Sequence, residues 1–249
     1  MKIVQLSDIH VGGFFRQSIF DVLVNEINSQ VKPDCIVITG DLTDDGLLVQ
    51  FEKAYEEIDK LNCQNKIIIP GNHDYRHTGY LLFKKFFPFK TPIYEMDNAI
   101  IVTLSTARPD RDEGEVGHRQ NQWMEKTLTK VSEKLKIIVM HHHLISIPDT
   151  GTDKVIIYDA GDTLQSCLQS SVDLVLCGHK HRPWIWNLRS LKIAYAGTAS
   201  SVRFRGFFQN SYNIINIDEN KKTEIDLKIV GGKQFPLNEL VDNYKPYFE

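Results

Sequence analysis

Five short apolar runs rich in valine, isoleucine and leucine each break off into a polar cluster, and this repeated pattern is the strongest constraint on the fold. Lys2 to Leu6 runs into Ser7-Asp8-Ile9-His10, and Cys35 to Thr39 into Gly40-Asp41. Lys66 to Ile69 leads to Gly71-Asn72-His73-Asp74, Ile137 to Met140 to three histidines, and Leu174 to Cys177 to Gly178-His179-Lys180-His181. Runs this short and this rich in β-branched residues read as buried strands. Ligands of open α/β sheets bind in the crevice beyond the carboxyl ends of the strands. The clusters therefore predict one site assembled from several strand ends.

Further strands are expected at Ile100 to Leu104, Ile193 to Ala196, Tyr212 to Ile217 and Thr223 to Val230. Helical spacing marks Ile19, Leu23 and Ile27 as one face, and Phe51, Tyr55, Ile58 and Leu61 as another. Helices are also expected over Leu81 to Phe87, Gln122 to Leu135 and Asp162 to Gln169. Alternation of this kind makes a layered α/β domain. The late strands, which lack long intervening helices, argue for a second sheet. With no repeat or linker, residues 1–249 read as one domain. The polar loop from Thr106 to His118 reads as solvated surface rather than site, and the aromatic segment Phe235 to Phe248 as a cover for this core or for a second copy.

A formal net charge of -3 gives no basic footprint for a long nucleic acid, so no stable nucleic-acid partner is expected. Small anionic substrates, phosphate esters among them, stay open, because bound metal ions would reverse the local field whatever the global balance. The four cysteines are scattered without a CxxC pair, and no apolar run approaches a membrane span. The N-terminus, MKIVQLSD, reads as a strand rather than a signal peptide. A cytoplasmic protein is the expectation, with no membrane partner; a homo-oligomer is left open.

Each cluster alone has a plain reading. GD after a strand is often a turn, GNHD suits one, and a strand-end histidine is often satisfied locally. Their joint occurrence, each directly after a core strand, makes coincidence a poor account. Imidazole, carboxylate and amide oxygen without thiolate suit Mn, Fe or Zn. A bridging carboxylate holds two ions about 3.5–4 Å apart, and Asp41, after Gly40 on a central strand, is the natural bridge.

DxH, GD, GNHD, a strand-terminal His and GHxH, in that order, resemble the calcineurin-like metallophosphoesterase superfamily, over nearly the whole chain. The resemblance implies a four-layer αββα sandwich of two mixed sheets flanked by helices, with two metal ions at the sheet edges. It implies that Asp8, His10 and His181 hold one ion, that Asn72, His141 and His179 hold the other, and that Asp41 bridges. It further implies that a hydroxide shared by the ions attacks phosphorus, with His73 as general acid. Asp44, three residues after Asp41, stands where the phosphoprotein-phosphatase branch has an Asp that pairs with the GNH histidine, and is expected to orient His73. That branch continues with Arg where this chain has Asp45, which counts against a protein phosphatase.

GDLTDDG, GNHD and GHKHRP look most like the cyclic-nucleotide phosphodiesterase-like branch. The implied activity is a phosphodiesterase on a small substrate such as a cyclic nucleotide. A nuclease of the same superfamily and a non-catalytic scaffold are the alternatives. His142 and His143 are expected in the pocket wall or supporting the ligands. Arg76, His77, Arg203 and Arg205 are candidates for gripping phosphate or sugar, because a guanidinium offers a two-pronged donor. Trp184 and Trp186 read as core-packing.

Overall fold

The structure is a computed structural model that describes residues 1–88, 91–151 and 156–245. Strands β1 (Lys2–Leu6), β2 (Cys35–Ile38) and β3 (Lys66–Ile68) pair in parallel. Strand β10 (Ser211–Ile217) joins the free edge of β1 antiparallel, followed by β11 (Thr223–Ile229) and β12 (Gln234–Pro236). The second sheet holds β4 (Ile93–Glu95), β5 (Ala99–Thr103), β6 (Leu135–Val139), β7 (Leu174–Cys177), β8 (Trp184–Leu188) and β9 (Leu191–Tyr195). Its strand order is β4-β5-β6-β7-β9-β8, with β5, β6, β7 and β9 parallel.

The alternation of side chains along each strand sorts the core into layers. Val37 faces the space between the sheets, where it meets Ile101, Ile137 and Leu176 of the second sheet. Its neighbours Ile36 and Ile38 face the other way, onto Phe20, Leu23, Phe51, Ala54 and Phe83. Those residues come from α1 (Gln17–Glu26), α2 (Leu48–Asp59) and α3 (Gly79–Phe86). On the far side Val102, Ile138 and Val175 pack on Met124, Leu128 and Cys167 of α4 (His118–Leu128) and α5 (Ala160–Gln169). The result is helix, sheet, sheet, helix, as the resemblance implied.

Three expectations change. Of the late strands only β8 and β9 join the second sheet; β10 to β12 extend the first, because β1 leaves an edge that an antiparallel partner covers. The second sheet begins mid-chain at β4. The helix expected to run to Leu135 ends at Leu128, and Leu135 starts β6. On α1 it is Phe20, rather than Ile19, that is fully buried beside Leu23 and Ile27. At the C-terminus, α6 (Leu237–Asp242) follows β12, and Phe235 and Tyr244 pack on this chain's own core. The remainder of that aromatic segment, residues 246–249, lies outside the described residues. Among the described residues no helix is long and apolar enough to cross a membrane.

Candidate metal centre

The carboxyl ends of β1, β2 and β3 in one sheet and of β6 and β7 in the other meet at one edge of the sandwich. Asp8, His10, Asp41, Asn72, His141, His179 and His181 come together there, each no more than 6% exposed. Asp8, His10, Asp41, His179 and His181 have φ between 52° and 73°, the left-handed region that side-chain-bearing residues seldom adopt. Such strain persists only where the surroundings fix it, and it gathers at functional sites. Gly40, with φ of 91°, makes room for the approach: a Cβ there would lie 2.6 Å from both the Gly71 nitrogen and His141 Nδ1. A Cβ at Gly71 would collide with the Asp41 carboxylate.

Each carboxylate is held by one oxygen and offers the other. Asp41 Oδ1 accepts the His73 backbone N–H at 2.9 Å. Its Oδ2 lies 3.7 Å from His10 Nε2 and 3.5 Å from His141 Nε2. Asp8 Oδ2 accepts the His179 N–H at 3.0 Å, while Oδ1 lies 3.2 Å from His181 Nε2 and is buried without a hydrogen bond. Asn72 donates its amide to Asp112 Oδ1 at 3.1 Å. That turns its Oδ1 to within 3.1 Å of His141 Nε2 and 3.0 Å of His179 Nδ1.

The imidazoles follow the same rule. His141 Nδ1 donates to the Thr39 carbonyl at 2.7 Å, His181 Nδ1 to the Arg203 carbonyl, and His10 Nδ1 lies 3.1 Å from Asp44 Oδ1. The carbonyl acceptors assign the ring proton to Nδ1 in His141 and His181, and the Asp44 charge favours the same in His10. The Nε2 lone pairs are left pointing inward, and those of His10 and His181 are only 3.0 Å apart. Converging lone pairs and a carboxylate oxygen with no donor are what a cation satisfies, so the residues fit a pair of metal ions. One group comprises Asp8, His10, Asp41 and His181. The other contains His141 and His179, with the Asn72 oxygen, and Asp41 Oδ2 faces both.

The electrostatics favour the metal-binding form at Asp41 and His10 and oppose it at His141. Burial alone would raise the Asp41 pKa, but the neighbouring His141, His73 and His10 hold it well below the usual carboxylate range. Burial pushes His10 down to about 4, so its ring is neutral near pH 7. His141 goes the other way, up to about 9: burial opposes the proton, but the Asp41 charge outweighs it. Metal binding at this group would displace that proton.

His142 is close to His141 and His179, yet Thr106 Oγ1 at 2.8 Å and the Asp112 carbonyl at 3.1 Å engage its two nitrogens. His143 is buried and stacks on the His179 ring with no hydrogen bond on either nitrogen. His73 Nδ1 donates at 2.6 Å to Asp44, but to its backbone carbonyl. The Asp44 carboxylate faces His10 and the Phe14 N–H instead. Asp44 thus meets the His73 ring through its main chain, while its side chain serves His10.

Arg76 Nη2 and Arg203 Nη1 each stand 3.3 Å from His73 Nε2. His77 is exposed, its N–H held by Asp110, and Arg205 makes itself felt at His143 rather than at His73. The loop from Thr106 to His118 is part of the site rather than simple surface, since Asp112 and Thr106 orient Asn72 and His142. Nothing in its polar composition distinguished Asp112 from the acids beside it. Asp74 was also missed: its buried carboxylate accepts N–H groups of Gly71, Leu42 and Thr43, tying the second and third strand ends together.

The family model described as Calcineurin-like phosphoesterase matches residues 1–183. The chain belongs to that family and is by class a metal-dependent phosphoester hydrolase. It is 27% identical over 157 residues to the "Probable cyclic nucleotide phosphodiesterase" of Synechococcus, an overlap of 63% of this chain and 61% of that protein. It is 25% identical to the "Probable glycerophosphodiester phosphodiesterase GpdQ" of Arcobacter nitrofigilis, over 75% of each chain. Among solved structures it is similar in fold to GAP50, the anchor in the inner membrane complex of Plasmodium, with a TM-score of 0.68. That overlap covers 95% of this chain and 88% of the other at 12% identity, and it speaks to the fold alone.

Proposed function

We propose that this chain is a phosphodiesterase of small substrates, with a cyclic nucleotide the first to test. In this reading Asp8, His10 and His181 hold one metal ion, Asn72, His141 and His179 a second, and Asp41 bridges them. The observation that carries it is the convergence of seven buried donors into two groups that share Asp41 Oδ2. Mn, Fe or Zn fits these donors, and such a pair, when bound, lowers the pKa of a water and neutralises charge on phosphoryl oxygens.

The chain's own residues do the rest. The N–H of His73 locks one oxygen of Asp41, which keeps the other pointing between the two groups. The same residue's ring is held by the Asp44 carbonyl, so that Nε2 points toward Arg76 and Arg203. In this reading His73 acts as general acid on a leaving oxygen. For that, Nε2 must carry the proton, and the two guanidiniums must turn from it to the substrate. Preference for a diester is supported by the names of both relatives, which differ in the alcohol but share the phosphodiester.

The test is hydrolysis of bis-p-nitrophenyl phosphate, p-nitrophenyl phosphate and cyclic nucleotides by protein loaded with Mn, Fe or Zn. Metal-dependent turnover of the diesters above the monoester is expected. Absence of metal-dependent turnover on every one would overturn the reading, and salt-sensitive cleavage of oligonucleotides alone would replace it with a nuclease.

A further inference from the structure

Resting on that reading, we propose that Arg203 is a substrate-positioning residue whose guanidinium takes a non-bridging oxygen of the scissile phosphate. Its backbone is anchored to the site itself, because its carbonyl accepts the His181 ring N–H and its own N–H donates to Ser201 Oγ at 3.1 Å. The side chain is steered by a ring: the guanidinium carbon sits 5.1 Å from the centroid of Phe14. Phe14 is fixed in turn, with its N–H on Asp44 Oδ2 at 3.2 Å and its carbonyl accepting the Val202 N–H at 3.1 Å. A cation over an aromatic face is stabilised without losing its N–H donors, which stay free to point elsewhere.

Charge balance separates the two arginines beside His73. Arg76 is compensated by Asp45 at 3.6 Å and Asp112 at 3.5 Å, and it also donates to the Asp44 carbonyl at 3.2 Å. Among the described residues Arg203 has no carboxylate within 4.0 Å. Asp44 senses its charge, but that carboxylate is turned to His10 and the Phe14 N–H. Arg203 is thus a part-buried cation whose side chain meets an imidazole nitrogen, shared with a second guanidinium. Two cations on one ring nitrogen are poorly satisfied, and a tetrahedral oxyanion arriving between them satisfies both. A part-buried guanidinium binds such an oxygen more tightly than a surface one, because less water competes for its donors.

The experiment compares Arg203→Met and Arg203→Lys with the wild type on the diester the wild type hydrolyses best, with metal content measured alongside. R203M is expected to lower kcat/KM about 10- to 100-fold, mostly through KM, the size of one charge-assisted hydrogen bond. The constant for competitive inhibition by inorganic phosphate should rise in parallel, R203K should recover part of the loss, and metal content should hold. Millimolar guanidinium should restore part of the activity of Arg203→Ala. Unchanged KM and phosphate inhibition in R203M, or loss of metal in both R203M and R203K, would overturn the proposal. Should the wild type hydrolyse no ester, the phosphodiesterase reading fails on its own. Calorimetric titration of inorganic phosphate into metal-loaded wild type and R203M then decides the role of Arg203, and equal affinities would reject it.

Discussion

Nε2 of His10 and Nε2 of His181 face each other across 3.0 Å. Each ring already directs Nδ1 at an acceptor, Asp44 Oδ1 for one and the Arg203 carbonyl for the other. Two lone pairs at that distance repel, and a cation between them turns the repulsion into attraction. Metal removal should therefore destabilise the fold itself. With metal at about 100 times its Kd, binding adds roughly 2.7 kcal/mol, which for a chain of this size is a Tm change of about 5–10 °C. Thermal melts with added Mn and with a chelator measure this; identical midpoints would count against a preformed metal centre.

The contact between the Asp44 carboxylate and His10 predicts a different defect from one at His73. Carboxylates that orient a metal-binding histidine contribute about 10- to 100-fold in metal affinity or activity. Asp44→Asn should weaken metal binding by that order and recover activity when metal is raised. Its backbone carbonyl still accepts the His73 ring, so no separate loss in metal-saturated turnover should remain. A turnover defect that persists at saturating metal would assign the carboxylate to the proton step instead.

His73→Ala separates the ring from the backbone. The bond to Asp41 comes from the main-chain N–H, which alanine keeps. Turnover should fall about 10²- to 10⁴-fold, the range for general acid–base catalysis, while metal content stays near wild type. Loss of metal in this variant, read by elemental analysis, would mean that the ring supports the ligands.

Away from the site, Glu57 predicts a pH effect on stability. Its carboxylate is buried beneath Lys53 at 2.5 Å and Lys60 at 2.7 Å, and Gln17 of the neighbouring helix reaches it at 2.9 Å. Burial would raise its pKa, but these donors outweigh that and leave it below the usual glutamate value. The folded state thus holds the ionised form more firmly than the unfolded chain does. The stabilisation is present above the unfolded pKa and lost as pH falls through the lower folded value. Glu57→Gln should cost about 1 kcal/mol near pH 7, modest because both lysines are partly exposed. The gap to wild type should close as denaturation is repeated toward pH 3, and a constant gap would exclude this linkage.

The strand-end pattern makes most of the candidate site legible in the sequence. A buried strand is a run of β-branched residues, and the first polar residues after it stand at the sheet edge. What was hidden has local reasons too. β4 and β12 are three residues each, too short for an alternation to register. The joining of β10 to β1 depends on which edge was left open, and that is a property of the assembled sheet. Asp112 sits in a loop of similar acids, and only proximity picks it out as the partner of Asn72.

The sequence alone determined the donors and their order, because residue chemistry and the end of each apolar run are both written locally. The tertiary structure decided which atom each donor presents. It turned Asp41 Oδ2 between His10 and His141 by giving Oδ1 to a backbone N–H, and it presented His179 through Nδ1 while His10, His141 and His181 offer Nε2. It placed Arg203 on Phe14 beside His73, across 130 positions of chain. Those choices rest on backbone turns in the left-handed region and on contacts between distant loops, where neither composition nor spacing carries the information.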